Sequence, residues 1–289
     1  MARSYKHPPQ LKRVYTPQSR LNRPLVLLRE MFSDVSSSWP LTWRLFVKDI
    51  RAQYRQSFLG LFWTIIPAAS TALAFTFASQ SDVIQVGKTD IPYPAYVFFN
   101  ILLWQTFTDS VNAPIGAVAS ARRILVKVNF PREAIVLASL METLMNFFIK
   151  LGLALIMFAA FKVAISWKII FAPLAAMSLV TLGASAGMLL APFNVLYRDI
   201  SKSIPIVFSI WVFFTPVVYP IPDSGLFALI VKLNPITPLI VTTRELATRG
   251  IFANPLHFGL VSLFSLFAFM AAWIIYRLAM PIVVERLGS

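Results

Sequence analysis

Residues 55–82 read RQSFLGLFWTIIPAASTALAFTFASQSD, and the 26 residues between Arg55 and Asp82 carry no charge. A helix needs roughly 20 apolar residues to cross the hydrocarbon core of a bilayer, where lipid offers its backbone no hydrogen-bond partners. Five further stretches are uncharged or nearly so: 91–108, 134–161, 169–197, 203–222 and 250–276. The pattern predicts an all-α integral membrane protein.

Composition argues against several other classes of protein. With 57% hydrophobic and 13% charged residues among 289, the chain has no room for a sizeable soluble domain. Cysteine is absent and the two histidines lie far apart, so we expect no disulfide, metal site, bound cofactor or catalytic residue. The net charge of +14 lies mostly beside the apolar stretches, which favours anionic lipid headgroups over nucleic acid as its partners.

Six membrane-spanning helices are expected, at about 60–80, 95–118, 134–161, 168–192, 202–220 and 256–277. An even number places both chain ends on one side of the membrane. That side holds 19 lysines and arginines, whereas the opposite loops hold six. Because the more positive side faces the cytoplasm, both termini are predicted to be cytoplasmic.

The segment before the first span is basic and amphipathic. We predict an interface helix at about 41–55, lying in the membrane surface. It is either an anchor alone, or Arg51 and Arg55 also meet an anionic, lipid-linked substrate as it enters. The expected units along the chain are a cytoplasmic extension, a membrane domain and a cytoplasmic tail, at 1–38, 39–280 and 281–289.

The loop between the second and third spans is expected to contain a short amphipathic helix. Basic residues follow one flank and apolar residues another: Arg122, Arg123 and Lys127, then Ile124, Leu125 and Val128. Such a helix, parallel to the membrane surface, can transmit force from a soluble partner. The alternative is an ordinary positively charged cytoplasmic loop.

Beyond the fifth span, the chain is rich in proline and does not read as a regular helix. Residues 214–222 contain three prolines, and the pieces 226–233 and 239–247 are each too short to span a bilayer. We expect short re-entrant or interfacial helices at the outer mouth, in a region of about 220–250. This region is either an outer gate or a loop on the lipid surface.

Polar residues interrupt the second and third spans. Ser139, Glu142, Asn146 and Lys150 recur at three- and four-residue spacing and form a stripe along one helix. Asp109 is expected at the depth of Glu142, with Lys150 about 12 Å farther out. Because charges in lipid are costly, these groups form a structural ion pair or line a polar path.

Five short motifs carry a resemblance to a known family. They are RAQYRQSFLGLFW (51–63), VKVNFPRE (126–133), NVLYRD (194–199), TPVVY (215–219) and NPITP (234–238). From about residue 40 to its end, the chain resembles the membrane subunit of ATP-binding-cassette polysaccharide exporters. Those proteins move O-antigen, capsular polysaccharide or teichoic acid.

The resemblance implies a homodimer of six-helix permease subunits in the bacterial inner membrane. Two ATPase subunits, which bind ATP and Mg, would dock beneath it, and a lipid-linked polysaccharide would pass through a channel within the dimer. It assigns roles to residues in three groups. The coupling helix comprises Arg122, Arg123, Ile124, Leu125, Lys127, Val128 and Phe130. The gate includes Pro216, Tyr219, Pro220, Asn234 and Pro235. The path would be lined by Tyr96, Phe99, Trp104, Glu142, Asn146 and Lys150.

Two other classes of function stay open on the residues. The chain has no GxxxxGK[ST] motif, so nucleotide energy would come from another polypeptide. A membrane enzyme acting on glycolipids would need clustered acids or an interfacial histidine base, and the twelve acids are scattered. A proton- or ion-coupled secondary transporter would use Asp109 and Glu142 as its coupling groups.

Overall fold

The computed structural model describes residues 24–55, 62–81, 87–127, 131–197 and 199–288. Within these ranges the chain is helical and contains no strand. The α-helices are α1 (Pro24–Arg55), α2 (Phe62–Gln80), α3 (Tyr93–Ser120), α4 (Arg122–Lys127), α5 (Glu133–Ala160), α6 (Ala172–Leu196), α7 (Asp199–Trp211), α8 (Leu226–Leu233), α9 (Ile236–Thr248) and α10 (Pro255–Gly288). A 3-10 turn precedes α6 at Trp167–Phe171, and another follows α7 at Val212–Phe214.

The prediction of an all-α membrane protein is confirmed. Among the described residues, α5, α6 with its preceding turn, and α10 are long and apolar enough to cross a bilayer. The pair α8 and α9, bent by 78° at Asn234–Pro235, would count as a fourth span if taken together. Length and composition do not establish the predicted count of six membrane-spanning helices. Polar residues interrupt α3, and α7 has only 13 residues.

Three predicted helices match α2, α3 and α5 to within two residues at each end. The fifth was predicted too long, since α7 ends at Trp211 and not near 220. Thr215 is extended there, with φ −118° and ψ 132°, because the following proline disfavours helical backbone in the residue before it. The last helix was predicted too short, at 256–277, since α10 continues to Gly288. It therefore includes most of the predicted cytoplasmic tail 281–289.

The predicted interface helix also begins earlier than expected. α1 starts at Pro24 and includes Pro40, so the helix enters the predicted extension 1–38. Residues 1–23 lie outside the described part of the chain. Around Pro40, the hydroxyls of Ser37, Ser38 and Thr42 donate to carbonyls three or four residues earlier in the same helix.

The core lies between α3 and α6, with α5 and α2 against α3, and α10 against α6. Two glycines one turn apart allow the close approach of α6 to α3. A Cβ added at Gly183 would lie 2.7 Å from the carbonyl oxygen of Phe107, and one at Gly187 would overlap the carbonyl oxygen of Val111. This is the small-residue spacing by which membrane helices pack backbone to backbone.

Candidate functional site

An ion pair joins α3 to α5 inside the bundle. The Nζ of Lys150 donates to Oδ2 of Asp109 at 2.6 Å; the lysine is buried, and the Asp109 side chain is 47% exposed. The predicted offset of about 12 Å applies to positions along α5, and the side chains close this gap between their charged atoms. Side chains on a helix point toward its N-terminus, so the long lysine reaches back along α5 to the carboxylate.

Next to this pair, α3 presents a polar face. Gln105, Thr108 and Asn112 lie on successive turns, and with Trp104 they line a cavity of about 450 Å³ between α3, α2 and α7. Thr71 and Ser209 add hydroxyl groups from α2 and α7. Most of the other lining residues are apolar, among them Phe75, Phe208 and Val212, so the polar groups of α3 form one side of the cavity. Polar side chains are costly against lipid, which favours water or a protein neighbour beside them.

Sequence reasoning missed this polar face, although its spacing of three to four residues was visible. It favoured instead the aromatic residues of the same helix. Tyr96 and Phe99 are each 1% exposed, and the Phe99 ring packs 5.1 Å from that of Phe158. A side chain so deeply buried within the subunit offers no surface to a sugar, so the expected position of Tyr96 and Phe99 on a channel wall is corrected to the core.

The other predicted path residues lie near the ion pair or the cavity. Trp104 is mostly buried but contributes to the cavity wall. Glu142 and Asn146 are half-buried on α5, in the turns before Lys150. Asn146 Oδ1 is buried without a hydrogen-bond partner among the described residues.

Residues 215–222, called the strap below, cross the end of α3 that is farther from α4. Three α3 side chains donate to three consecutive strap carbonyls. Tyr93, Asn100 and Tyr96 bond the oxygens of Val218, Val217 and Tyr219, at 2.8, 3.0 and 2.9 Å respectively. Non-helical backbone within a membrane domain must find such donors, because lipid supplies none.

Asn234 ties the strap to the bent helix pair. Its Nδ2 donates to the carbonyl oxygen of Phe214 at 2.9 Å and to the hydroxyl of Thr215 at 2.8 Å, while its Oδ1 accepts from Ile236 N–H at 3.1 Å. The same side chain therefore provides hydrogen-bond partners for backbone and hydroxyl groups at the start of α9 and at the start of the strap. Pro235 precedes the first residue of α9, where a missing N–H costs nothing.

The remaining gate residues lie within the strap itself. Pro216 follows the extended Thr215, and the Tyr219 hydroxyl donates to the Phe213 carbonyl oxygen at 2.6 Å. The Pro220 ring lies against Gly87, where an added Cβ would come within 2.9 Å of it. Sequence reasoning missed Arg244, whose buried guanidinium lies 4.6 Å from the centre of the Tyr96 ring and connects α9 to α3.

At the opposite end of α3, the expected short helix is present as α4. Arg123, Ile124 and Lys127 are exposed, Arg122 is half-buried, and Leu125 is buried. The helix therefore presents a face that is basic and apolar, while Leu125 anchors it to the bundle. Val128 and Phe130 lie outside the described residues. On α1, Arg51 is exposed, and the side chain of Arg55 is not described.

The sequence matches the ABC-2 type transporter family over residues 40–248. It is 29% identical over 203 residues to the O-antigen export system permease protein RfbA of Myxococcus xanthus, covering 69% of this chain and 76% of that protein. With the protein of the same name from Klebsiella pneumoniae the identity is 23% over 208 residues, which is 70% of this chain and 78% of the relative.

A third relative is the polysialic acid transport protein KpsM of Escherichia coli, 20% identical over 246 residues, which is 81% of this chain and 91% of that protein. The family match spans α2 to α9 and the C-terminal part of α1, so it includes α4, the polar face of α3 and the strap. Because that match covers well over half of the sequence, the chain belongs to the ABC-2 type transporter family of membrane proteins.

Proposed function

We propose that this protein is the permease subunit of an ATP-binding-cassette exporter that carries a lipid-linked polysaccharide across the bacterial inner membrane. The observation that carries the proposal is the similarity to O-antigen export permeases through most of both chains. A polysaccharide needs a polar route through an apolar bundle, and the polar face of α3 supplies such a surface.

The complete exporter is proposed to contain two copies of this chain and two ATPase subunits. Each copy would span the membrane six times, through α2, α3, α5, α6, α7 and α10, with both termini in the cytoplasm. We propose that the surface formed by Asp109 and the α3 cavity lies between the two copies. The support is that about half of the Asp109 side chain is uncovered within one subunit.

The proposed path is lined by polar groups and one aromatic ring. It includes Gln105, Thr108 and Asn112 with Trp104 on α3, and Glu142 and Asn146 on α5. Lys150 contributes from behind this wall, since it is buried and pairs with the half-exposed carboxylate of Asp109. Lys150 pairs with Asp109 within the subunit, so the charge of this carboxylate is balanced by a residue of the same chain.

The α4 face is proposed to dock the ATPase, which binds ATP and Mg. Exposed Arg123, Ile124 and Lys127 would make the contact, and Val128 and Phe130 are proposed to extend it. The support is the combination of an anchored Leu125 with an exposed basic face on a six-residue helix. Such a helix moves with the bundle when its exposed side is pushed.

The strap and the α8–α9 pair are proposed to form the outer gate, with Pro216, Tyr219, Pro220, Asn234 and Pro235 as its hinge and bonding residues. The three hydrogen bonds from α3 would hold the gate closed until the helices shift. On the other side of the membrane, Arg51 and Arg55 are proposed to attract the anionic headgroup of the lipid-linked substrate.

Purification alone and with a co-expressed ATPase from the same host tests the proposal. The subunit alone should not hydrolyse ATP. The complex in proteoliposomes should hydrolyse ATP. It should move a lipid-linked glycan away from the face of the membrane to which ATP is supplied. Glycan movement by the subunit alone, without nucleotide, would contradict the proposal and favour a secondary transporter.

A further inference from the structure

One arginine lies at the junction of three helices near α4. α10 has 34 residues, which at 1.5 Å per residue is about 50 Å, whereas the hydrocarbon core of a bilayer is about 30 Å thick. Arg277 lies about 33 Å along α10 from Pro255, a distance close to the thickness of that core. The remaining turns of α10 therefore extend beyond the membrane on the α4 side.

The guanidinium of Arg277 binds acids from two other helices. Its Nη2 lies 2.6 Å from Oδ2 of Asp34 on α1, and its Nη1 lies 3.1 Å from Oε1 of Glu133, the first residue of α5. Glu30 of α1 lies 3.9 Å away. The side chains of Arg277, Asp34 and Glu133 are each at most 10% exposed, so these charges are nearly removed from water.

Two neighbouring contacts strengthen the same junction. The Phe32 ring of α1 meets the Trp273 ring of α10 edge to face, with 5.6 Å between centroids. The hydroxyl of Tyr276 donates to the carbonyl oxygen of Arg132 at 3.2 Å. Arg277 thus lies inside a packed cluster that holds α1 to the end of α10 and to the start of α5.

The same part of the chain supports α4. The helix α10 contacts α4, and α5 begins only six residues after Lys127. Leu125 of α4 is buried, as are Met280 and Val283 on the extension of α10. A displacement of α4 would therefore reach α10 through this contact, and the start of α5 is bound to α10 by the ion pair of Glu133 with Arg277.

We propose that Arg277 is a positioning residue that joins α1 to the ends of α5 and α10, so that a displacement of α4 moves the interface helix and the spans as one body. This inference rests on the proposed function, in which α4 receives the motion of the ATPase. The planar fork of arginine suits the position because it reaches two carboxylates at once, whereas the lysine ammonium is a single point charge.

The test uses the complex with its ATPase in proteoliposomes and compares Arg277→Lys, Arg277→Gln and the unmodified chain. Lys202→Gln is the matched control, because it removes one positive charge from an exposed α7 side chain. ATP hydrolysis should persist in all four, whereas glycan moved per ATP should fall roughly 2- to 30-fold in both Arg277 variants, the range seen for mutations along coupled networks. Unchanged glycan per ATP in Arg277→Gln would overturn the inference.

A rescue experiment separates positioning from general loss of folding. Because the chain has no cysteine, Phe32→Cys and Trp273→Cys can be joined selectively by a short bifunctional thiol reagent. Cross-linking should restore glycan per ATP to the Arg277→Gln variant, and failure of the cross-linked, folded protein to recover would contradict the inference. If Arg277→Gln does not accumulate, the comparison is made with Arg277→Lys, and full coupling of that variant before cross-linking contradicts the inference.

Failure of the proposed function has a different signature. In that case, the unmodified complex itself would show no glycan movement dependent on ATP. A coupled unmodified complex with equally coupled Arg277 variants would contradict only the role of Arg277.

Discussion

The ion pair of Lys150 with Asp109 lets two opposite charges of α5 and α3 balance each other inside a membrane domain. The presence of the two charges predicts a structural ion pair or a polar path, since a charged side chain is costly in lipid. Their spacing along two helices placed them at different depths, but side-chain length and direction bring the charged atoms within 2.6 Å. The pairing could not be deduced from sequence, because it depends on how α3 and α5 pack.

Replacing Lys150 with leucine should destabilise the subunit, because it removes the partner of Asp109. With Asp109 half exposed, we expect a loss of about 1–3 kcal/mol in the free energy of unfolding. Adding Asp109→Asn should recover part of that loss. Melting temperatures of the single and double variants in detergent measure the coupling. Additive losses, with no recovery in the double variant, would show that the pair contributes nothing to stability.

Asn112 tests whether the polar face of α3 meets water. Its side chain is exposed and lines the cavity, so in membranes an Asn112→Cys variant should react with a membrane-impermeant thiol reagent when the path is open. Leu263→Cys is the control, because Leu263 is 51% exposed on an apolar candidate span. Equal labelling rates at the two positions would argue against a wet surface on α3.

At the scale of elements, apolar length located most helices but not their ends. Hydropathy marks where a helix leaves the membrane, which explains why α10 was predicted to end at Arg277 although its backbone continues to Gly288. The two short helices after the strap were recognised because neither can span a bilayer. The donors that hold the strap were missed, since Tyr93, Tyr96 and Asn100 are separated from their acceptors by well over 100 residues.

The packing of α6 on α3 gives a prediction with an internal control. Gly187→Ala should destabilise the subunit by about 1–3 kcal/mol, because the new methyl group meets the Val111 carbonyl oxygen and the helices must separate. Gly152→Ala on α5 should be neutral or slightly stabilising, since nothing lies within 4 Å of its added Cβ and alanine favours helix. Thermal unfolding of both variants decides the matter, and equal melting temperatures would refute the close contact.

In the whole molecule, an ABC-2 family membrane protein, the described helices bring together the polar face of α3, the hydrogen-bonded strap and the exposed basic helix α4. The motifs in the sequence located the strap and α4 because both depend on local residues. The polar wall and the Arg277 cluster needed the structure, since each combines residues from two or three helices distant in sequence.

The docking role of α4 can be tested by charge reversal. Arg123→Glu together with Lys127→Glu should abolish co-purification of the ATPase, because both exposed basic groups on the docking face change sign. Lys202→Glu, exposed on α7, should leave co-purification unchanged. Retention of the ATPase by the doubly reversed variant would place the docking surface elsewhere.

Export by this protein can be followed in the host through the distribution of glycan after the chain is depleted. Export through this permease predicts that lipid-linked polysaccharide disappears from the cell surface and accumulates at the cytoplasmic side of the inner membrane. Re-expression of the unmodified chain should restore the surface glycan. Normal surface polysaccharide in fully depleted cells, with no internal accumulation, would show that this chain does not export it.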